Sequence, residues 1–173
     1  MVAKRRRTRT PAYAIVLSIP STSGRLLTKG AVFLSGTTLP LWCDVMPWFE
    51  LAPGYTDLQL QLDVADVTLN IPLTEIELVS LGPITLRPQR LPAHEVADTP
   101  ELLRLHFVLH RILTKSGCII LPPQQVADAY RPHVVDRGAE KFFIGSRHKA
   151  TSVVILERLD RGKITAIDES FFK

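Results

Sequence analysis

Apolar and polar residues alternate most regularly from Leu58 to Val64, in the run Leu58-Gln59-Leu60-Gln61-Leu62-Asp63-Val64. A period of two predicts a strand with one face in the core and one in water. Val67 to Ile71 repeats the pattern, as does Ile76-Glu77-Leu78, and Ile84-Thr85-Leu86 is a shorter version. One-sided strands in succession predict an antiparallel sheet, because parallel strands are usually covered on both faces. Pro72, Gly82-Pro83 and Pro88 punctuate the series and predict turns or edge strands. Tyr13 to Ile19 is β-branched and apolar, a first strand. Ser152 to Leu156 and Lys163 to Ile167 predict a closing pair of strands, joined by Asp160-Arg161-Gly162.

Helical spacing occurs in two places. Ser23 caps a predicted short helix through Leu34, with Leu26, Leu27, Gly30, Ala31 and Leu34 on one face and Gly36 ending it. The stronger signal runs from Pro100 to Lys115, where Leu102, Leu105, Leu109, Ile112 and Leu113 recur on one stripe. Asp98 and Glu101 form a capping-box pattern ahead of it, and Gly117 supplies a stop. Cys118 to Leu121 then predicts a short strand, and Gln124 to Tyr130 one or two helical turns.

The stretch Leu39 to Leu51 (LPLWCDVMPWFEL) fits neither period. Two prolines interrupt it, yet it holds both tryptophans. Read as a loop, it has two outcomes. It packs over the core, or Trp42, Met46, Trp48 and Phe49 form an exposed apolar patch for a membrane or another subunit.

Charge changes the picture at the front. Lys4, Arg5, Arg6, Arg7 and Arg9 crowd the first nine residues, and the net charge of +4 comes from them. Such an arm attracts phosphate, whether of nucleic acid or of anionic lipid; the alternative is a solvated terminus. It also fits a nuclear localisation signal. The apolar run Ala12 to Ile19 behind it is too short, and too bracketed by Pro11 and Pro20, for a signal peptide. The expected layout is a flexible basic arm over residues 1–11 and one globular domain over 12–173. Apolar residues at 46% and charged residues at 22% suit a folded body. Cys43 and Cys118 lie in apolar surroundings, as buried thiols do in a reducing compartment.

Signals for chemistry are few. The scattered glycines make no phosphate-cradling loop, and there is no C-x-x-C. His106 and His110 share a helix face and could form half a metal site with His133 or His148, though a structural role is the better reading. No serine or cysteine has an activating neighbourhood, and Asp168-Glu169 point to opposite faces of a strand. The expectation is a protein that is not an enzyme, with no metal, no cofactor and no small-molecule substrate.

The end of the chain, KFFIGSRHKATSVVILERLDRGKITAIDESFFK from Lys141 to Lys173, resembles the C-terminal end of rhabdovirus matrix proteins. The match runs from Lys141-Phe142 through Arg147 and Lys149-Ala150. It continues into a strand ending in Glu157-Arg158, a turn at Gly162, and the terminal Ser170-Phe171-Phe172-Lys173. The resemblance implies an α+β fold: an antiparallel sheet with helices mainly on one face and a flexible basic N-terminal arm. It implies a structural role, linking a viral nucleocapsid to the inner face of the envelope, self-associating, and supporting assembly and budding. The implied partners are nucleocapsid RNA, an anionic membrane surface and further copies of the chain. Lys4, Arg5, Arg6, Arg7, Arg9, Arg147 and Lys149 are then candidate phosphate contacts, and Trp42, Met46, Trp48 and Phe49 candidate membrane or self-association contacts. The implied location is the virion and the host cytoplasm, with host membrane and nucleus as further sites. The alternatives are a nucleic-acid-binding or capsid-like assembly protein with a basic arm, and a small enzyme or machine subunit.

Overall fold

The computed structural model describes residues 10–20, 26–34, 40–72, 74–86, 90–121, 130–135, 143–159 and 162–173. Among them, in chain order, are β1 (Ala12–Ser18), β2 (Val32–Phe33), β3 (Trp42–Glu50), α1 (Asp57–Asn70), β4 (Ile76–Leu86), β5 (Leu91–Val96) and α2 (Pro100–Lys115). There follow β6 (Ile119–Ile120), β7 (His133–Val135), β8 (Arg147–Ala150), β9 (Ser152–Arg158) and β10 (Ile164–Phe171). The sheet order is β2-β10-β9-β1-β3-β7-β5-β4-β8, with β6 added to β3, and the pairings are antiparallel. The protein is α+β, built mostly of strands around one antiparallel sheet.

The β1 strand explains where the core sits. Tyr13, Ile15 and Leu17 point into a cluster with Leu60, Val64 and Val67 of α1 and Leu102, Leu105, Leu109 and Leu113 of α2. Ala14 and Val16 point the other way, into a cluster with Leu27, Trp42, Val154, Leu156, Ile164 and Ala166. Burial on both faces is why this strand reads as a continuous apolar run.

The alternation at residues 58–64 does not make a strand. Residues 57–70 are α1, capped by Thr56, whose hydroxyl accepts from the Gln59 N–H at 3.2 Å. Its buried residues are Leu60, Val64, Val67 and Thr68, at helical spacing, while Leu58, Leu62 and Leu69 stand exposed at 62%, 57% and 49%. The pattern satisfied both periods at once. Helix propensity separates them, because Leu and Gln are good helix formers and the β-branched residues arrive only later. The paired expectations at 76–78 and 84–86 both fall in β4.

The proline-broken stretch is also not a loop. Residues 42–50 form β3, a central strand flanked by β1 and β7. Its register against β1 slips twice, between Tyr13 and Ile15 and between Ile15 and Val16. Bulges of this kind leave residues out of the ladder, which is how a strand interior tolerates Pro47. Trp42, Met46 and Phe49 are buried, the last two completely, so they are core residues and not a surface for a membrane or partner. Trp48 is half-buried under the Arg158 guanidinium, 4.4 Å from its ring centroid. Among the described residues no helix is long and apolar enough to cross a membrane.

Two smaller expectations change. The α2 cap is Thr99, not Asp98; the Thr99 hydroxyl accepts from the Leu102 N–H at 3.3 Å. Residues 26–34 contain β2 and no helix, because Gly30 N–H and Ala31 C=O both bond to Ala166 of β10. Gly30 holds a φ of 84°, a backbone region that suits a turn. The expected helical turns at 124–130 lie almost wholly outside the described residues.

Candidate active site at the seam between the third and seventh strands

Strands β3 and β7 meet where Cys43 pairs with Val134. These two point into the helix-side cluster. Their neighbours Asp44 and His133 approach each other, with His133 Nε2 3.5 Å from Asp44 Oδ2. The imidazole is 4% exposed and the carboxylate 22%. The Trp42 indole N–H donates to the other carboxylate oxygen, Oδ1, at 2.8 Å. His133 Nδ1 lies 2.9 Å from the Arg131 carbonyl oxygen. A carbonyl only accepts, so Nδ1 carries the proton and Nε2 is the nitrogen that can take or give one toward the carboxylate. Trp42 thereby fixes one carboxylate oxygen and the Arg131 carbonyl fixes Nδ1, while Nε2 and Oδ2, both acceptors in this tautomer, attract each other only when Nε2 takes up a proton.

The surroundings favour this pair over other chemistry. Burial pushes the Cys43 thiol well above its usual range, with Asp44 adding to the effect, so Cys43 is not a thiolate nucleophile. Burial likewise raises the Tyr130 phenol, with Cys43 and Asp44 contributing, so it stays protonated. Its hydroxyl donates to the Asp44 carbonyl at 2.8 Å. Among the described residues no group of His, Cys, Asp and Glu is arranged to hold a metal ion.

His106 and His110 are not half of a metal site. His106 is buried, its Nδ1 sits 2.7 Å from the Val45 carbonyl, and its ring stacks on Tyr130. Burial lowers its pKa from 6.5, opposed by the bond to Val45 and assisted by His110. Below about pH 6.5 the unfolded chain therefore binds this proton more readily than the folded one. The contribution is fully present above that value and is lost as the pH falls. Stability measured in urea should decline from about pH 7 to about pH 5, and His106→Phe should flatten that slope. Parallel pH curves for the two proteins would contradict the assignment.

The other expected contacts are not gathered at the seam. Arg147 and Lys149 lie on the edge strand β8, exposed, and pair with Glu77 at 3.2 Å and Glu75 at 2.6 Å. The bond to Glu75 raises the Lys149 pKa. Lys4, Arg5, Arg6, Arg7 and Arg9 lie outside the described residues. Conversely, Asp44, Tyr130 and His133 carried no signal as a set. In sequence Asp44 lies in the proline-broken stretch and His133 stands alone among apolar neighbours. What brings them together is the pairing of β3 with β7, which no local pattern encodes.

No protein-family model and no curated protein matches this chain. Solved structures do. A phosphoesterase crystal structure superposes with a TM-score of 0.57 at 10% identity, over 95% of this chain and 99% of that one. E. coli LigT complexed with 3′-AMP gives 0.59 at 10% identity, again over 95% and 99%. E. coli LigT complexed with NADP+ gives 0.57 at 11% identity over the same shares. At such identities what is shared is the fold. It overturns the matrix-protein expectation, together with the non-enzymatic role and the nucleocapsid, membrane and self-association partners derived from it. The stretch that carried the resemblance contributes β8, β9 and β10 to this sheet. An apolar strand, a glycine turn and a second strand is a hairpin pattern that many folds use. The expectation of no small-molecule substrate falls too, since LigT is solved with small nucleotides bound.

Proposed function

We propose that this protein is a phosphoesterase-type enzyme acting on a nucleotide-like phosphate ester, with His133 as its acid–base group and Asp44 as the carboxylate that faces it and stabilises its protonated form. The observation that carries the reading is the oriented imidazole–carboxylate pair at the seam of the sheet. The shared fold with a phosphoesterase and with nucleotide-bound LigT supports it.

The chemistry follows from the protonation pattern. His133 keeps its Nδ1 proton on the Arg131 carbonyl and offers Nε2 as a base. A water loses a proton to Nε2 as its oxygen bonds to phosphorus. The ester P–O bond breaks, its electron pair goes to the leaving oxygen, and that oxygen takes the proton back from Nε2. Ester and water become alcohol and phosphate, and the imidazole returns to its starting form. In between, the imidazolium faces the Asp44 carboxylate at 3.5 Å. A charge pair partly withdrawn from water interacts more strongly than one in bulk solvent.

The full chain should bind 3′-AMP in a calorimetric titration, shift the His133 imidazole resonances on binding, and release p-nitrophenol from bis(p-nitrophenyl) phosphate. Binding without turnover would reduce the protein to a nucleotide-binding module. Absence of both would sink the proposal.

A further inference from the structure

Asp44 stands at one of the β3 bulges. The register against β1 passes from Val16↔Asp44 to Ile15↔Met46, which leaves Val45 without a partner in β1. An extra residue in one strand disrupts the local ladder and lets the backbone bend. Two consecutive carbonyls at this bulge are held by side chains. The Tyr130 hydroxyl donates to the Asp44 carbonyl at 2.8 Å, and His106 Nδ1 lies 2.7 Å from the Val45 carbonyl. The two rings form one unit, with centroids 3.8 Å apart and planes inclined by 4°. One ring comes from α2 and the other from the residues leading into β7.

This arrangement closes a circuit. Tyr130 grips the Asp44 main chain, and the same short segment continues through Pro132, whose carbonyl accepts the Val96 N–H at 2.9 Å, to His133. His133 then returns to the Asp44 side chain. Both members of the acid–base pair are thus tied to each other through main chain as well as through side chains. We infer that the stacked His106–Tyr130 pair is a positioning clamp that fixes the Asp44 bulge, and through it the approach of Asp44 to His133. The role assigned to the clamp rests on the phosphoesterase reading. The protonation states suit it: burial keeps the phenol protonated, a donor, and keeps the imidazole neutral. A clamp matters because displacing a reacting group by about 1 Å can cost about 100-fold in rate.

Three variants separate the clamp from plain core packing. Tyr130→Phe keeps the ring and removes the hydroxyl. His106→Phe keeps a ring and removes the donor, and His106→Asn returns a donor without the ring. Each is read by its melting temperature, by the His133 imidazole resonances in the ligand-free protein, and by kcat and KM on bis(p-nitrophenyl) phosphate. Tyr130→Phe should stay folded, shift the His133 resonances, and lower kcat about tenfold with KM held within about twofold. His106→Phe should do the same, and His106→Asn should recover most of the loss. A folded Tyr130→Phe with wild-type His133 resonances overturns the clamp, and so does a Tyr130→Phe that cannot fold. If His106→Phe fails to fold, Tyr130→Phe decides alone. If the wild-type chain turns over no ester, the phosphoesterase reading fails, while the resonances still decide whether the clamp sets the pair.

Discussion

His133→Gln should lower kcat for a phosphodiester by about 10²- to 10⁴-fold, the usual worth of a positioned acid–base group. The melting temperature and KM should change far less. Glutamine keeps polar atoms near the position of Nε2 but cannot cycle a proton near neutral pH. Asp44→Asn is the informative companion. Asparagine can still accept from the Trp42 indole through Oδ1, so the strand should be undisturbed. What it loses is the charge facing the imidazolium, and a drop of about 10- to 100-fold is expected. The two losses should not add, because the carboxylate acts only through the imidazole. Activity assays on the two single variants and the double variant check this. A His133→Gln protein that is folded and fully active would remove the imidazole from the mechanism.

What could be read from the chain divides by range. The α2 helix was legible because its stripe of leucines, its proline at the start and its glycine stop are all local. The same holds for β1 and for the closing pair, β9 and β10. The antiparallel sheet was also legible, though partly for the wrong reason, since two of the supposed strands are one helix. β3 was missed because Pro47 argues against a strand interior, and the bulges that admit it are set by β1, a distant segment. The site was missed for a related reason. Asp44 and His133 meet only because β7 pairs with β3, and neither residue type is unusual in its own neighbourhood. The basic residues at the front are, by contrast, conspicuous in the sequence, but a charge run alone names a class of acidic partner and no site.

The α1 helix, whose sequence alternates like a strand, offers the cleanest stability test. In a strand, Leu58, Leu60, Leu62 and Val64 share one face, so truncating any of the leucines should cost about the same. In α1 they separate. Leu60 is 1% exposed and Val64 also 1%, packed in the cluster with Ile15 and Leu105, whereas Leu58 and Leu62 are 62% and 57% exposed. Leu60→Ala should therefore destabilise the protein by about 2–5 kcal/mol, the range for leucines removed from well-packed cores. Leu58→Ala and Leu62→Ala should each stay within about 0.5 kcal/mol, since surface positions contribute little and alanine is the best helix former. Thr56→Ala should cost about 1 kcal/mol by removing the cap, an effect a strand would not show. Urea unfolding of the four variants measures all of this with one method. Equal losses at positions 58, 60 and 62 would restore the strand and remove α1 from the fold. A large loss at 60 with none at 58 and 62 fixes the helix and the face it buries.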